Sequence, residues 1–289
     1  MISAPHRYKV YEIPKRKQGQ VRVIAQPARE VKALQYWVIK NVLTRFDVHP
    51  APTAYRKDVS IAENARPHVR GRYLLKMDFK DFFPSLKAKD FQIFLRRGNA
   101  PFNEEESEVL CRILFWMPKE SPELRLSIGA PSSPILSNIL MFDFDRRISA
   151  VCATRRVTYT RYADDLSFSA TRPEDLRAVE RAVLNWCRRS KSPSLAVNES
   201  KTVRVSKRDA RRVTGLVLTN DRKVSLGREE KRRIRAFMHH FVTGRLDETE
   251  LLKLRGTLSY VKSVEPTYLR RLRKKYGASE VKRVFRPND

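Results

Sequence analysis

Residues 162–165 read Tyr-Ala-Asp-Asp, two adjacent carboxylates between two runs that alternate as β-strands do. Upstream, Val157-Thr158-Tyr159-Thr160-Arg161-Tyr162 is β-branched and aromatic, and downstream Leu166-Ser167-Phe168-Ser169 alternates apolar and polar. The pattern predicts a hairpin with Asp164 and Asp165 at its tip, where their side chains can converge on a cation. The surrounding chain is strongly basic, with 60 Lys and Arg against 32 Asp and Glu and a formal charge of +28. An isolated Asp-Asp is ordinarily an exposed acidic turn. Set between apolar strands in a chain of this charge, the pair is the first place to look for chemistry.

Asp78 adds to it. The run 73–79 (YLLKMDF) is short, apolar and strand-like, and Asp81-Phe82-Phe83-Pro84-Ser85 breaks it with a proline. Two strands that set Asp78, Asp164 and Asp165 side by side would gather negative charge, and close carboxylates raise one another's pKa unless a cation neutralises them. A divalent metal is the natural cation, and an all-oxygen donor set favours Mg²⁺ or Mn²⁺. Two such ions about 4 Å apart serve in-line phosphoryl transfer, one activating a hydroxyl and the other stabilising the departing pyrophosphate. Asp81, close in sequence, reads better as a solvated turn or a helix cap.

The positive charge points to a polyanionic partner, with nucleic acid the leading choice. No apolar stretch has the length to span a bilayer, and no signal peptide or lipidation motif is present, so no membrane partner is expected and the expected location is cytoplasmic. Cys111, Cys152 and Cys187 are far apart and read as reduced thiols, which agrees with that location. The histidines (His6, His49, His68, His239, His240) show no zinc-ligand spacing. At 289 residues and 41% hydrophobic, the chain can build one large, multi-lobed domain.

Along the chain, a basic turn at Lys15-Arg16-Lys17 and Gly19 leads into a strand at Val21-Arg22-Val23-Ile24. Residues 29–46 carry Val31, Leu34, Trp37, Val38 and Val42 at helical spacing, and the Pro-containing 49–52 ends that helix. Residues 86–117 are expected to be helical and 118–127 a Pro-rich loop. A helix is expected from Ser133-Pro134 to about Ile148, and another over 173–189. Strands are expected near 195–205 and 213–226, and a wholly helical, very basic part from Gly227 onward.

Four segments together resemble reverse transcriptases. Tyr162-Ala163-Asp164-Asp165 looks like the family signature, and 74–86 (LLKMDFKDFFPSL) looks like its first catalytic motif. Residues 128–138 (IGAPSSPILSN) resemble the segment under the template and incoming nucleotide, and Asn198-Glu199-Ser200-Lys201-Thr202 a motif with a lysine near the triphosphate. NARPH (64–68) and Val213-Thr214-Gly215 resemble the marks of retron reverse transcriptases, and with 15–38 the resemblance covers nearly the whole chain.

The resemblance implies an α+β right-hand polymerase. Fingers and palm would be interleaved over 1–226, with the palm mainly at 73–85 and 127–226, and a short, basic, helical thumb at 227–289 would bind RNA. It implies an RNA template, dNTPs and two Mg²⁺ ions, Mn²⁺ being the substitute. The cognate partner would be a structured non-coding RNA, primed from a guanosine 2′-hydroxyl to give a branched RNA-linked DNA, with a separate effector protein in anti-phage defence. Asp78, Asp164 and Asp165 would be catalytic and hold metal, and Lys201 would neutralise pyrophosphate or give it a proton.

Arg22, Arg56, Lys57, Phe79, Phe83, Gly129 and Ala130 are the candidates for dNTP binding, with Arg22 the preferred phosphate ligand. Phe83, five residues on from Asp78, would be the planar ring that clashes with a 2′-hydroxyl. Ile128 departs from the family, many of whose members have Gln there. Asn64, His68, Val213, Thr214, Gly215, Arg232, Arg233, Arg270 and Arg271 are the candidates for RNA binding. For Asn64 and His68, a helix cap and a satisfied structural histidine are the competing roles. Other readings are a group II intron or diversity-generating reverse transcriptase and a non-catalytic RNA-binding scaffold. The short thumb leaves no room for a maturase or endonuclease extension, and the three intact acids oppose the scaffold.

Overall fold

The structure is a computed structural model that describes residues 3–14, 21–98 and 100–285. The expected basic turn at Lys15-Arg16-Lys17 and Gly19 lies outside them. β1 (Tyr8–Pro14) and β2 (Val21–Pro27) form an antiparallel pair, followed by α1 (Arg29–Asn41). A loop then leads to α2 (Ile61–Ala65), β3 (Tyr73–Asp78) and the single turn α3 (Phe82–Ser85). The run expected as one helix over 86–117 is two, α4 (Ala88–Arg97) and α5 (Glu104–Leu114). Gly98 and Pro101 stop the first. Asn103 and Glu106 open the second as a reciprocal cap, the Asn103 side chain accepting from the Glu106 amide at 2.8 Å and the Glu106 carboxylate from the Asn103 amide at 2.9 Å.

The helix expected from Ser133 is likewise two, α6 (Ser133–Leu140) and α7 (Phe142–Thr154), with the axis broken at Met141. The hairpin β4 (Thr158–Tyr162) and β5 (Asp165–Ala170) follows, then α8 (Pro173–Arg189) over the expected span. Residues 195–202, expected to begin a strand, run alongside the end of β3 without forming one. β6 (Val203–Ser206) starts only afterwards. β7 (Arg212–Val213), β8 (Leu216–Leu218) and β9 (Val224–Ser225) make a small sheet. The chain ends in α9 (Arg228–Val242), α10 (Glu248–Val264), α11 (Pro266–Tyr276) and α12 (Ala278–Phe285).

The central sheet is antiparallel in the order β4-β5-β3-β6. Successive side chains of a strand point to opposite faces, and here the two faces serve different cores. Leu75 and Met77 of β3 and Leu166 and Phe168 of β5 enter a core with Phe144, Ile148, Val179 and Val183 of α7 and α8. Leu74 enters a second core with Ala62, Ala65, Val213 and the apolar faces of α9 to α12. The serines of β5 (Leu166-Ser167-Phe168-Ser169) thus face a covered polar layer instead of solvent. No helix among the described residues is long and apolar enough to cross a membrane.

Candidate active site

The acidic residues meet at one end of the central sheet. Asp78, last in β3, pairs across the ladder with Asp165, first in β5. Asp164 lies in the two-residue turn before Asp165, and its carbonyl accepts from the Phe79 amide at 3.2 Å. On the other side of β3, the Asp78 carbonyl accepts from the Asn198 amide at 2.7 Å, which brings the following 3₁₀ turn with Lys201 to the same edge. Backbone pairing alone therefore assembles the three aspartates and the lysine.

The turn is held from beneath. Ala163 has φ +56°, a left-handed conformation uncommon for a residue with a side chain. The Ala163 carbonyl accepts from Arg161 Nη1 at 3.0 Å. Arg161 is fully buried and forks onto Asp145 of α7, with Nε to Oδ1 at 2.9 Å and Nη2 to Oδ2 at 2.6 Å. The Tyr159 hydroxyl donates to the same carboxylate at 2.7 Å. A bidentate, hydrogen-bonded pair is the form in which buried charge is tolerated.

Lys201 Nζ donates to Asp78 Oδ1 at 2.8 Å, and this bond is the main cause of a raised Lys201 pKa. Burial pushes the Asp164 carboxyl up to about 6, and Asp78 adds to the effect. Asp165 is raised too, again chiefly by burial, with Lys76 opposing. Two carboxylates that resist ionisation beside a third have the chemistry that a cation relieves, and their oxygen donors suit a hard divalent ion. Among the described residues no group of three or more His, Cys, Asp or Glu side chains is placed so that it could hold a metal ion as it stands. Asp78 is neutralised instead by the Lys201 ammonium.

A cavity of about 310 Å³ is lined by Tyr55, Phe83, Ser127, Gly129, Ala130 and Ser133, among others, and by none of the three aspartates. Its floor, residues 128–131, is tied to β2, since the Ile128 carbonyl accepts from the Ala25 amide at 2.9 Å. Gly129 has φ +119°, and a Cβ there would stand 3.1 Å from the Ala25 carbonyl oxygen, so only glycine fits without strain. The Ser127 and Ser133 hydroxyls are buried without a protein partner. Tyr55 has its pKa pushed up to about 12, first by burial and then by Asp164, while Arg22 opposes. The Arg22 and Asp164 charges are thus both felt at Tyr55.

The model of the family "Reverse transcriptase (RNA-dependent DNA polymerase)" matches residues 13–218. The chain is 38% identical over 279 residues to the retron Ec83 reverse transcriptase of Escherichia coli, covering 96% of this chain and 89% of that one. It is 37% identical to the retron Ec86 reverse transcriptase of the same species, covering 98% and 87%. The chain belongs to the retron reverse transcriptases. It is thereby an RNA-directed DNA polymerase. At the level of fold alone it is similar to telomerase from Candida tropicalis, with TM-score 0.53, 13% identity and coverage of 96% of this chain and 60% of that one. Telomerase from Candida albicans gives 0.52, 14%, 96% and 60%. Mixed helices and antiparallel sheets in this arrangement make a right-hand polymerase fold.

In this reverse transcriptase several expected contacts prove to be internal. Phe79 follows Asp78 on a strand and so points the other way, into the core, where it stacks on Phe82 and meets Phe144 edge-on. Its side chain is closed to a nucleotide. Asn64 and His68 are fully buried and closed to RNA. Asn64 Oδ1 accepts from the Thr53 hydroxyl at 2.8 Å. The His68 ring bridges Ser169 Oγ at 2.9 Å and Thr160 Oγ1 at 2.8 Å, and burial pushes its pKa down to about 3. Val213 is buried in the second core.

Thr214 and Gly215 have φ +46° and +83°, a two-residue hairpin turn between β7 and β8, and the Thr214 hydroxyl donates to the Ile61 carbonyl at 3.2 Å. The two subfamily marks therefore pack together as scaffold, although Gly215 remains exposed. Arg22, Arg56 and Lys57 are exposed, as are Arg232, Arg233, Arg270 and Arg271 on the C-terminal helices. Sequence reasoning missed Asp145, Arg161 and Tyr55. Asp145 stands among Asp143, Arg146 and Arg147, so its spacing gave no sign of it, and the sign of Arg161 was a charged residue within a β-branched and aromatic strand.

Proposed function

We propose that this enzyme copies part of a cognate structured non-coding RNA into single-stranded DNA that stays joined to the RNA through a guanosine 2′-oxygen. The observation that carries the reading is the Asp78–Asp165 register with Asp164 in the adjoining turn. In this reading Asp78, Asp164 and Asp165 hold two divalent ions, Mg²⁺ in the first place and Mn²⁺ as the substitute. The bound ions would activate the attacking hydroxyl and stabilise charge on the leaving pyrophosphate.

The chain's own residues do the rest. Lys201, whose proton is held firmly by Asp78, keeps Nζ cationic where the triphosphate would lie. Arg22, Arg56 and Lys57 reach the phosphates from the fingers side. Arg56 also donates to the Pro50 and Pro52 carbonyls at 3.3 and 3.4 Å, which leaves Arg22 the freer ligand. Gly129 and Ala130 form the floor under the nucleotide, and Phe83 is the ring that excludes a 2′-hydroxyl. Residues 1–226 act as fingers and palm and 227–289 as the thumb, whose exposed arginines hold RNA by its backbone. The enzyme works in the cytoplasm with a separate effector protein in anti-phage defence.

The test is to purify the protein with the RNA encoded beside its gene and supply dNTPs and Mg²⁺. The expected product is DNA joined to RNA through a 2′-5′ branch, formed by wild type and abolished in Asp165→Asn. Equal labelling by both proteins would sink the metal assignment. Unbranched DNA would sink the priming assignment and leave the polymerase intact.

A further inference from the structure

The end of the central sheet opposite the acids carries a polar cavity that none of the roles above uses. β4 runs toward the acidic turn and β5 away from it, so the residues just before β4 and just after β5 meet at the far end. Six residues of strand set that end about 20 Å from Asp165. A cavity of about 590 Å³ there is lined by Thr154, Arg155, Arg156, Thr171, Arg172 and Asp175. Every lining residue is polar, so an apolar ligand would find nothing to pack on. Three guanidiniums against one carboxylate favour an anion.

Two of the arginines are set by a common carboxylate. Asp175, buried in the first turn of α8, accepts from Arg172 Nε at 2.9 Å and Nη2 at 3.2 Å, and Arg155 Nη1 stands 3.8 Å from it. That takes two of the five N–H donors of Arg172 and leaves the others free. Arg156 is exposed, makes no ion pair among the described residues, and stands where the backbone favours glycine. Its amide donates to the Ala153 carbonyl at 3.2 Å and the Val157 amide to the Cys152 carbonyl at 2.9 Å, the paired bonds that close a helix through a left-handed residue. Arg156 takes that conformation, with φ +54°. An exposed arginine held there against its backbone preference points to a use outside the packing of the fold.

We propose that Arg155, Arg156 and Arg172 bind a phosphodiester of the cognate RNA, in a part of that RNA that is not being copied. This rests on the reading that the enzyme holds a structured RNA. The planar fork of arginine matches two phosphate oxygens at once. Asp175 orients two of the forks before the anion arrives, which lowers the cost of ordering them. The length of β5 separates the site from nucleotide addition, so its loss touches the grip on RNA and leaves the chemistry alone.

Anisotropy titration of the labelled cognate RNA over a range of salt tests this with wild type and Arg155→Gln/Arg156→Gly. The control, Arg96→Gln/Arg97→Gln, removes two exposed arginines of α4. Arg155→Gln/Arg156→Gly should bind about tenfold more weakly at about 0.15 M salt, with the slope of log K against log salt shallower by about 2. The control should stay within about threefold of wild type. On a short unstructured RNA template with a DNA primer, Arg155→Gln/Arg156→Gly should keep kcat and KM for dNTP within about twofold. Arg156→Gly alone should melt no lower than wild type, since glycine takes φ +54° freely.

Wild-type affinity in Arg155→Gln/Arg156→Gly, or an equal loss in the control, would overturn the site. Unchanged RNA binding with weaker binding of single-stranded DNA would give the site to the product and overturn it as an RNA site. A matching fall in incorporation on the short template would put the arginines on the template–primer duplex, and Arg156→Gly melting several degrees lower would make Arg156 a structural residue. Either result overturns the proposal and leaves the structured-RNA reading standing. Wild type that binds the cognate RNA no better than an unrelated RNA of equal length would overturn that reading too.

Discussion

Arg161 holds the acidic turn more directly than either of the aspartates it displays. Its guanidinium joins the Ala163 carbonyl to Asp145, and both side chains of the pair are fully buried. Removing one partner strands the other charge without solvent, which costs about 3–5 kcal/mol. Asp145→Ala should therefore lower the unfolding free energy from urea titration by that amount, seen as a lower midpoint, and an unchanged midpoint would contradict the account. His68 supplies a pH signature. Its folded pKa of about 3 lies below the unfolded value near 6.5, so the stability it contributes is complete above pH 6.5 and is lost as pH falls from there through 3. Wild type should lose about 2 kcal/mol between pH 7.5 and pH 5 from this residue, and His68→Gln should show a correspondingly flatter profile in urea titrations. The aspartates were legible in the sequence because alternation fixes which way a strand residue points. Arg161 and Asp145 were not, because in a chain of 60 basic residues a single arginine reads as a nucleic-acid contact until its partner is seen.

Among the elements, hairpins and long helices were read most easily, and the segments between them least. The β4–β5 hairpin and α8 lie where periodicity put them. The two long helices expected over 86–117 and 133–148 are each divided. Gly98, Pro101 and the Asn103 cap were visible signals in the first case, set in a polar stretch between two apolar helical faces. The subfamily segments NARPH and Val-Thr-Gly were legible as marks but not as structure, since what they do is meet each other across most of the chain length. The floor segment gives a prediction. Gly129→Ala would force an alanine to φ +119° with its Cβ at 3.1 Å from the Ala25 carbonyl oxygen. A penalty of about 1–3 kcal/mol should appear as a lower melting temperature, with a raised KM for dNTP as the floor shifts away from β2.

Over the whole molecule, charge and fold divide the work. The +28 charge was legible as a demand for a polyanion, and the family as an RNA-directed polymerase, but not which arginines remain free. Arg270 and Arg271 are exposed on α11 and make no ion pair among the described residues, whereas Arg233 pairs with Glu230 at 2.7 Å. RNA binding should weaken steeply with salt, and replacing Arg270 and Arg271 by Gln should flatten the slope of log K against log salt by about 1–2. A slope identical to wild type in a filter-binding titration would remove these residues from the interface.

The two cores meet in a way that composition and periodicity could not foretell. Leu74 of β3 belongs to the core of the C-terminal helices, and the same strand ends four residues later at Asp78. The packing of those helices and the placing of the carboxylate therefore share one short piece of backbone, which β5 and β6 brace on either side.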